Sequence, residues 1–256
     1  ADVIKMVHPK PADAEREALY AWIIDKPYDA AKLPEKVRAY EAFKRDPQRA
    51  MPDLPFQYYT ALPLNASHWK ALATHASWQT LRQNLNAFAR HGVFADKYVL
   101  RKVVAKLRDA DAIRRARAFP YQLLTAYQAT AALPREIAEA LQDAMEIATC
   151  NVPTLEGDVV VAVDVSGSMA SPVTGFRKGA TSATRCVDVA ALIAACVQRN
   201  SPQARVMPFD TAVREVRTNP RDSVVTQAQR LAKLCGGGTS VSAPLARLNA
   251  ERANVD

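Results

Sequence analysis

A chain of 256 residues, 49% of them hydrophobic, is long enough for about two domains with a sizeable core. Its 34 Lys and Arg against 26 Asp and Glu give a formal charge of +8, which favours an acidic partner, nucleic acid being the usual one, without choosing between RNA and DNA. The longest apolar runs are short and interrupted, so neither a signal peptide nor a membrane span is expected within these residues. Scattered Cys150, Cys186, Cys196 and Cys235, without a Cys-x-x-Cys pair, read as reduced thiols of a cytoplasmic protein, and His8, His68, His75 and His91 form no zinc motif.

From residue 1 to about 153 the pattern is helical and is broken by Pro rather than Gly. Lys5, His8 and Lys10 crowd a Pro-rich loop, which keeps them exposed and stiff. Leu19, Trp22 and Ile23 sit one turn apart before a break at Lys26-Pro27. Val37, Tyr40, Glu41 and Phe43 make an amphipathic helix opened by Pro34. The stripes Trp69-Leu72-Ala73 and Trp78-Leu81-Leu85-Phe88 follow, then Tyr98-Val99-Val103-Leu107, Leu123-Leu124-Tyr127 and Ile137-Leu141-Met145-Ile147. Short helices with short connections stack pairwise, so an α-solenoid of the HEAT kind is expected over 1–155. Trp22, Trp69 and Trp78 are read as packing residues, and His68, His75 and His91 as core or surface positions.

Within this half, Lys97, Arg101, Lys102, Lys106, Arg108, Arg114, Arg115 and Arg117 form a basic run. Lys97, Arg101 and Arg108 fall on one helical stripe opposite Val99, Val103 and Leu107. RNA binding requires cations for phosphates and rings or imidazoles for unpaired bases. The candidates are Lys5, His8 and Lys10 in the loop and Arg101, Lys102 and Arg108 in the run; the bland alternative for both is a solvated face.

Near Val152-Pro153-Thr154-Leu155-Glu156-Gly157 the pattern changes from helix to strand, which places a domain boundary at 155/156. A strand buried on both faces ends at Asp164, a helix spans 184–200, strands cover 204–209 and 212–216, and a helix spans 222–234. This alternation predicts a doubly wound α/β sheet, incomplete at its carboxyl end within 156–256. Asp164-Val165-Ser166-Gly167-Ser168 puts one carboxylate and two hydroxyls around a point at the carboxyl edge of the sheet, where open α/β folds bind ligands. All are oxygen donors suited to a hard cation such as Mg²⁺ or another divalent ion. Enzymatic readings fail on the residues: Ser166 stands where a dehalogenase-type phosphatase needs a second carboxylate, and neither Ser has the flanking Gly pair of a nucleophile elbow. The Gly236-Gly237-Gly238-Thr239-Ser240 run lacks the Lys of a phosphate-binding loop. Asp210 reads as a loop residue beside the site, and Asp188 as a residue that caps or bonds to the loop.

The Asp-x-Ser-x-Ser spacing resembles the metal-ion-dependent adhesion site of von Willebrand factor A domains. That resemblance implies Thr239 as a further ligand and an Asp at the end of a later strand, which this sequence does not supply before it stops at Ala253-Asn254-Val255-Asp256. A helical solenoid ahead of such a domain resembles the TROVE family, that of the Ro autoantigen. Lys5-Met6-Val7-His8-Pro9-Lys10-Pro11, Trp78 to Leu85, Phe119-Pro120-Tyr121-Gln122-Leu123-Leu124, Pro208-Phe209-Asp210 and Gly237-Gly238-Thr239 look like the family's segments in order. The family's amino-terminal helices and last strands are missing, so the chain is expected to be a segment cut from something longer.

The resemblance implies a non-catalytic protein that holds small noncoding Y RNAs and defective or single-stranded RNA for surveillance or decay, with an exoribonuclease partner and no membrane contact. Asp164, Ser166, Ser168 and Thr239 would hold the cation. The alternatives left open are a protein-binding adaptor that uses the metal site with the helices as scaffold, and a Mg²⁺-dependent hydrolase.

Overall fold

Asp, Ser and Pro fix where the helices begin, and apolar stripes fix how they pack. The computed structural model describes residues 1–130, 132–179, 182–219 and 221–255. Contacts divide the chain into two units, Ala1–Leu72 and Ala73–Asp256. In the first lie α1 (Asp2–Val7), α2 (Ala14–Ile23) and α3 (Glu35–Arg45). Asp13 opens α2 by accepting a bond from Arg16 N at 2.7 Å, and Pro34 precedes α3. Tyr40 and Phe43, one turn apart on α3, are buried. Tyr40 meets Tyr58 and Tyr59 edge-on, and Phe43 meets Tyr59 and His68 in the same way. Trp22 Nε1 donates to Glu41 Oε1 at 3.0 Å. Trp22 and His68 are therefore packing residues, as expected.

After α4 (Ala66–His75), the second unit continues through α5 (Trp78–Gln83), α6 (Leu85–Arg90), α7 (Lys97–Leu107), α8 (Ala110–Arg115), α9 (Pro120–Gln128) and α10 (Arg135–Ala148). The stripe Trp78, Leu81, Leu85 and Phe88 is buried, but it runs through two helices. The break falls at Asn84, whose side chain donates to Thr80 O at 2.7 Å in competition with the helix ladder. Val99, Val103 and Leu107 of α7 face α10, whose Ile137, Leu141 and Met145 are fully buried. The helical series stands as the sequence implies.

The α/β part holds β1 (Val160–Asp164), α11 (Cys186–Asn200), β2 (Arg205–Phe209), α12 (Val224–Ala232) and α13 (Ala243–Glu251). The strands are parallel, in register from Val160 against Arg205 to Asp164 against Phe209. α11 is the crossover that packs on both and also carries α12. Helical and α/β parts share the second unit, and specific bonds join them. Glu146 of α10 accepts from Arg199 Nη1 (2.9 Å) and from Val224 N at the start of α12 (2.6 Å). Asn200 Nδ2 donates to Thr149 O and Val152 O at 2.8 and 2.6 Å.

Three expectations are corrected. β1 is not buried on both faces: Val163 is buried while Ala162 is exposed, and among the described residues β2 is its one sheet neighbour. No strand forms over 212–216. A single bridge joins Phe209 to Val213, because Asp210 N–H is turned onto Ala212 O (3.1 Å) and the Arg214 side chain folds back on Asp210. Finally α13 occupies 243–251, where the sequence reading placed nothing; Pro244 stands in its first turn.

Candidate metal centre and basic surfaces

Asp164 ends β1, and the chain turns immediately: Ser166 N donates to Asp164 Oδ1 at 2.8 Å, which fixes the carboxylate at the lip of the strand. Ser166 is buried and Ser168 exposed, with their hydroxyl oxygens 3.2 Å apart. Position 167 is crowded, since a Cβ there would stand 3.1 Å from Gly237 O, the acceptor of the Gly167 N–H at 3.0 Å. Gly236 N in turn donates to Val165 O at 2.8 Å, and Cys235 Sγ reaches Ser166 O at 3.4 Å. The turn and the 235–240 loop, distant in sequence, are thus laced together.

Asp210 closes the arrangement from β2. Buried, it accepts from Arg214 Nε and Nη2 at 2.9 and 2.6 Å on one oxygen and from Ala212 N at 3.1 Å on the other. The Arg214 guanidinium, with the Ala212 N–H, pushes its carboxyl down to about 2. Asp210 O accepts from Ser240 N at 2.7 Å, and Gly237, at φ 70, passes so close that a Cβ would lie 3.0 Å from Asp210 Oδ2. Asp210 is therefore a clamp on the Gly-rich loop, beside the site as expected. Thr239 lies between the anchored Gly237 and Ser240 and is exposed.

The donor set fits a hard divalent cation: a carboxylate and two adjacent hydroxyls, with Thr239 on the neighbouring loop. Among the described residues no group of three or more His, Cys, Asp or Glu could hold a metal, so any ion here takes most of its shell from hydroxyls and water. Asp188 is engaged elsewhere. It accepts from Arg185 N at 2.9 Å, pairs with the Arg185 guanidinium at 2.7 Å and neighbours Gln128, which accepts from Thr184 Oγ1 at 2.6 Å. Its role as a cap on the loop before α11 follows from those bonds.

The six sequence-predicted RNA candidates fare differently. Lys5 lies in the last turn of α1 rather than in a loop; the loop begins at His8, left-handed at φ 46, and Lys5, His8 and Lys10 are all exposed. On α7, Arg101 lines a groove of about 940 Å³ with Lys97, Leu100, Val104 and Arg108. Arg108 is drawn to Asp143 at 2.6 Å, and Lys102 Nζ lies 4.7 Å over the Tyr98 ring. Lys106, in the same run, donates to Thr74 O and Ala76 O at 2.7 and 2.9 Å, and burial pushes its pKa down. It caps carbonyls at the end of α4, a role for which the sequence holds no signal. The Asp210–Arg214 clamp also went unread, although an Asp-x-x-x-Arg spacing after a buried strand is a visible cue.

The family described as Ro60 vWA domain matches residues 158–256. Along its whole length the chain is 28% identical to the RNA-binding protein RO60 of Deinococcus radiodurans and covers 52% of it, so it spans about half the length of the curated relative it matches. Its fold is similar to the crystal structure of the Deinococcus radiodurans Ro (RSR) protein, with a TM-score of 0.73 and 23% identity, covering 100% of this chain and 55% of that one.

Proposed function

We propose that this chain, whose 158–256 segment matches the Ro60 vWA family and whose whole length resembles a Ro protein, binds RNA, holding small noncoding and unpaired or defective RNA for surveillance or decay without catalysing a reaction itself. The observation that carries the reading is the similarity, along the whole of this chain and about half of the relative, to a protein named for RNA binding. Its own surface supports it: Lys5, His8 and Lys10 are exposed together, and Arg101 opens with Lys97 onto the α7 groove. Phosphate contacts by such cations give affinity that falls steeply with salt. A titration of RNA binding against salt tests this, and absence of binding at low salt would sink it.

The carboxyl edge of the sheet has a separate task in this proposal. Asp164, Ser166, Ser168 and Thr239 would hold Mg²⁺ or a similar ion, which supplies an open coordination position for a carboxylate of a protein partner such as a nuclease. Ser166 and Ser168 present their oxygens side by side, while Asp210 and Arg214 keep the Thr239 loop in place. Exposed Phe176 and Val241 flank these loops in sequence and suit a protein contact. Asp164→Ala should abolish Mn²⁺ binding, followed by electron paramagnetic resonance, and leave RNA affinity unchanged. Metal-dependent cleavage of RNA by the purified chain, lost in the same variant, would overturn the non-catalytic reading.

A further inference from the structure

The start of α9 carries a feature that neither the metal centre nor the α7 groove uses. Ahead of it the chain turns sharply: Ala118 N donates to Ile113 O at 3.3 Å, and Arg117 is left-handed at φ 47. Asn151 Nδ2 secures the turn by donating to Ala118 O at 2.8 Å, and Gln122 Oε1 accepts from Phe119 N at 3.2 Å. Phe119 and Tyr121 consequently lie side by side, stacked at 23° with centroids 6.3 Å apart. Each is 40% exposed, while the core is packed instead by Leu123 and Leu124 of the same helix. The rings open onto a shallow groove of about 370 Å³ with Pro153, Ile193 and Val197 as further wall. Between residues 110 and 121 three Arg stand against one Asp, and Asp111 is taken by Arg114 at 2.5 Å. Arg115 and Arg117 are exposed beside the rings in sequence.

We propose that Phe119 and Tyr121 form a stacking platform for an unpaired base of single-stranded RNA, with Arg115 and Arg117 on the adjoining phosphates. The inference rests on the RNA-binding reading and gives it a place and a substrate class. Exposed rings beside cations are what single strands require, because every base has a π face while its phosphates need neutralising. The groove offers little polar surface to read a base edge, so the platform takes bases of any identity. An apolar peptide would use the same walls but has no use for the two cations.

Anisotropy with a labelled oligouridine and with a blunt RNA duplex tests the platform. Replacing both rings by Ala should weaken oligouridine binding about tenfold or more, leaving duplex affinity and the salt slope as they were. Arg117→Gln should lower the salt slope for both RNAs by about one, and Tyr121→Phe, which keeps the ring, should bind as the unaltered chain does. Equal loss on duplex and single strand, or no loss in a variant whose thermal unfolding is unchanged, overturns the platform while RNA binding stands. Failure of the unaltered chain to bind either RNA at low salt instead removes the reading beneath it. Photocrosslinking of a 5-iodouridine oligonucleotide to the unaltered chain needs no variant to fold: an adduct on Phe119 or Tyr121 supports the platform, and adducts confined elsewhere refute it.

Discussion

The loops at the carboxyl edge of the sheet hold one another through backbone atoms, whereas the cations of α7 are committed one at a time through their side chains. Gly167, Gly236 and Ser240 all donate main-chain N–H groups across the 164–169, 210–214 and 235–240 segments. On α7 and its cap, Lys106 goes to carbonyls, Arg108 to Asp143 and Lys102 to the Tyr98 ring, so an even basic stripe in the sequence becomes an uneven surface. The lesson is that a motif built into a strand end keeps its geometry, while a charge run keeps only what the surrounding fold leaves unclaimed.

The largest effect should come from the joint on which both regions rest. Glu146→Ala removes the acceptor shared by Arg199 and Val224 N, leaving a guanidinium and the first N–H of α12 without it. Stability should fall by about 1.5–3 kcal/mol, read from chemical denaturation. A loss below a few tenths would mean that α12 and the loop it leads into are held without α10.

Next comes Gly237→Ala, which tests the backbone lacing directly. The substitution places a Cβ 3.0 Å from Asp210 Oδ2 at a residue with φ 70, so both strain and crowding oppose it. A cost of about 1–2 kcal/mol and weaker Mn²⁺ binding are expected together. Unchanged metal affinity at reduced stability would show that the donor set does not depend on this loop.

How much of this was readable in advance follows the same division. The parallel strand ending in Asp164, the turn with Ser166 and Ser168, and the Gly run before Thr239 are local patterns, and the fold keeps them. The helical stripes through Val99, Val103 and Leu107 and through Ile137, Leu141 and Met145 were equally legible, since burial follows period. What the sequence concealed depends on partners that no spacing announces: Glu146 reaching Val224 and Lys106 reaching Thr74 across the fold, and Asn84 bonding back to Thr80 to split one stripe into two helices. The expected strand over 212–216 failed for a local reason. Val213 and Val216 suit a strand, but Arg214 is held by Asp210, four residues before it, and the segment turns instead of extending.

The clamp should also show in acid. Arg214 holds the Asp210 carboxyl down to about 2 against an unfolded value of about 4. A depressed carboxyl contributes stability that is present above the unfolded value and is lost as pH falls toward the folded one. The Tm should therefore fall between about pH 4 and 2, and Asp210→Asn should flatten that part of the profile. An identical acid profile in the variant would assign the loss to other carboxylates.

The smallest effect separates the two arginines of the α7 groove. Arg101 and Arg108 line the same cavity, but Arg108 is already paired with Asp143 at 2.6 Å. A cation held by a carboxylate must surrender that partner to meet a phosphate, so its net gain on binding RNA is small, as for other exposed pairs. Arg101→Gln should then lower the salt slope of RNA binding by about one, while Arg108→Gln leaves it nearly unchanged. Asp143→Asn supplies the decisive arm, because freeing Arg108 should raise affinity at low salt if the pair is what withholds it. Equal slopes for both Gln variants, with no gain in Asp143→Asn, would mean that RNA does not enter this groove and that contact lies with Lys5, His8 and Lys10.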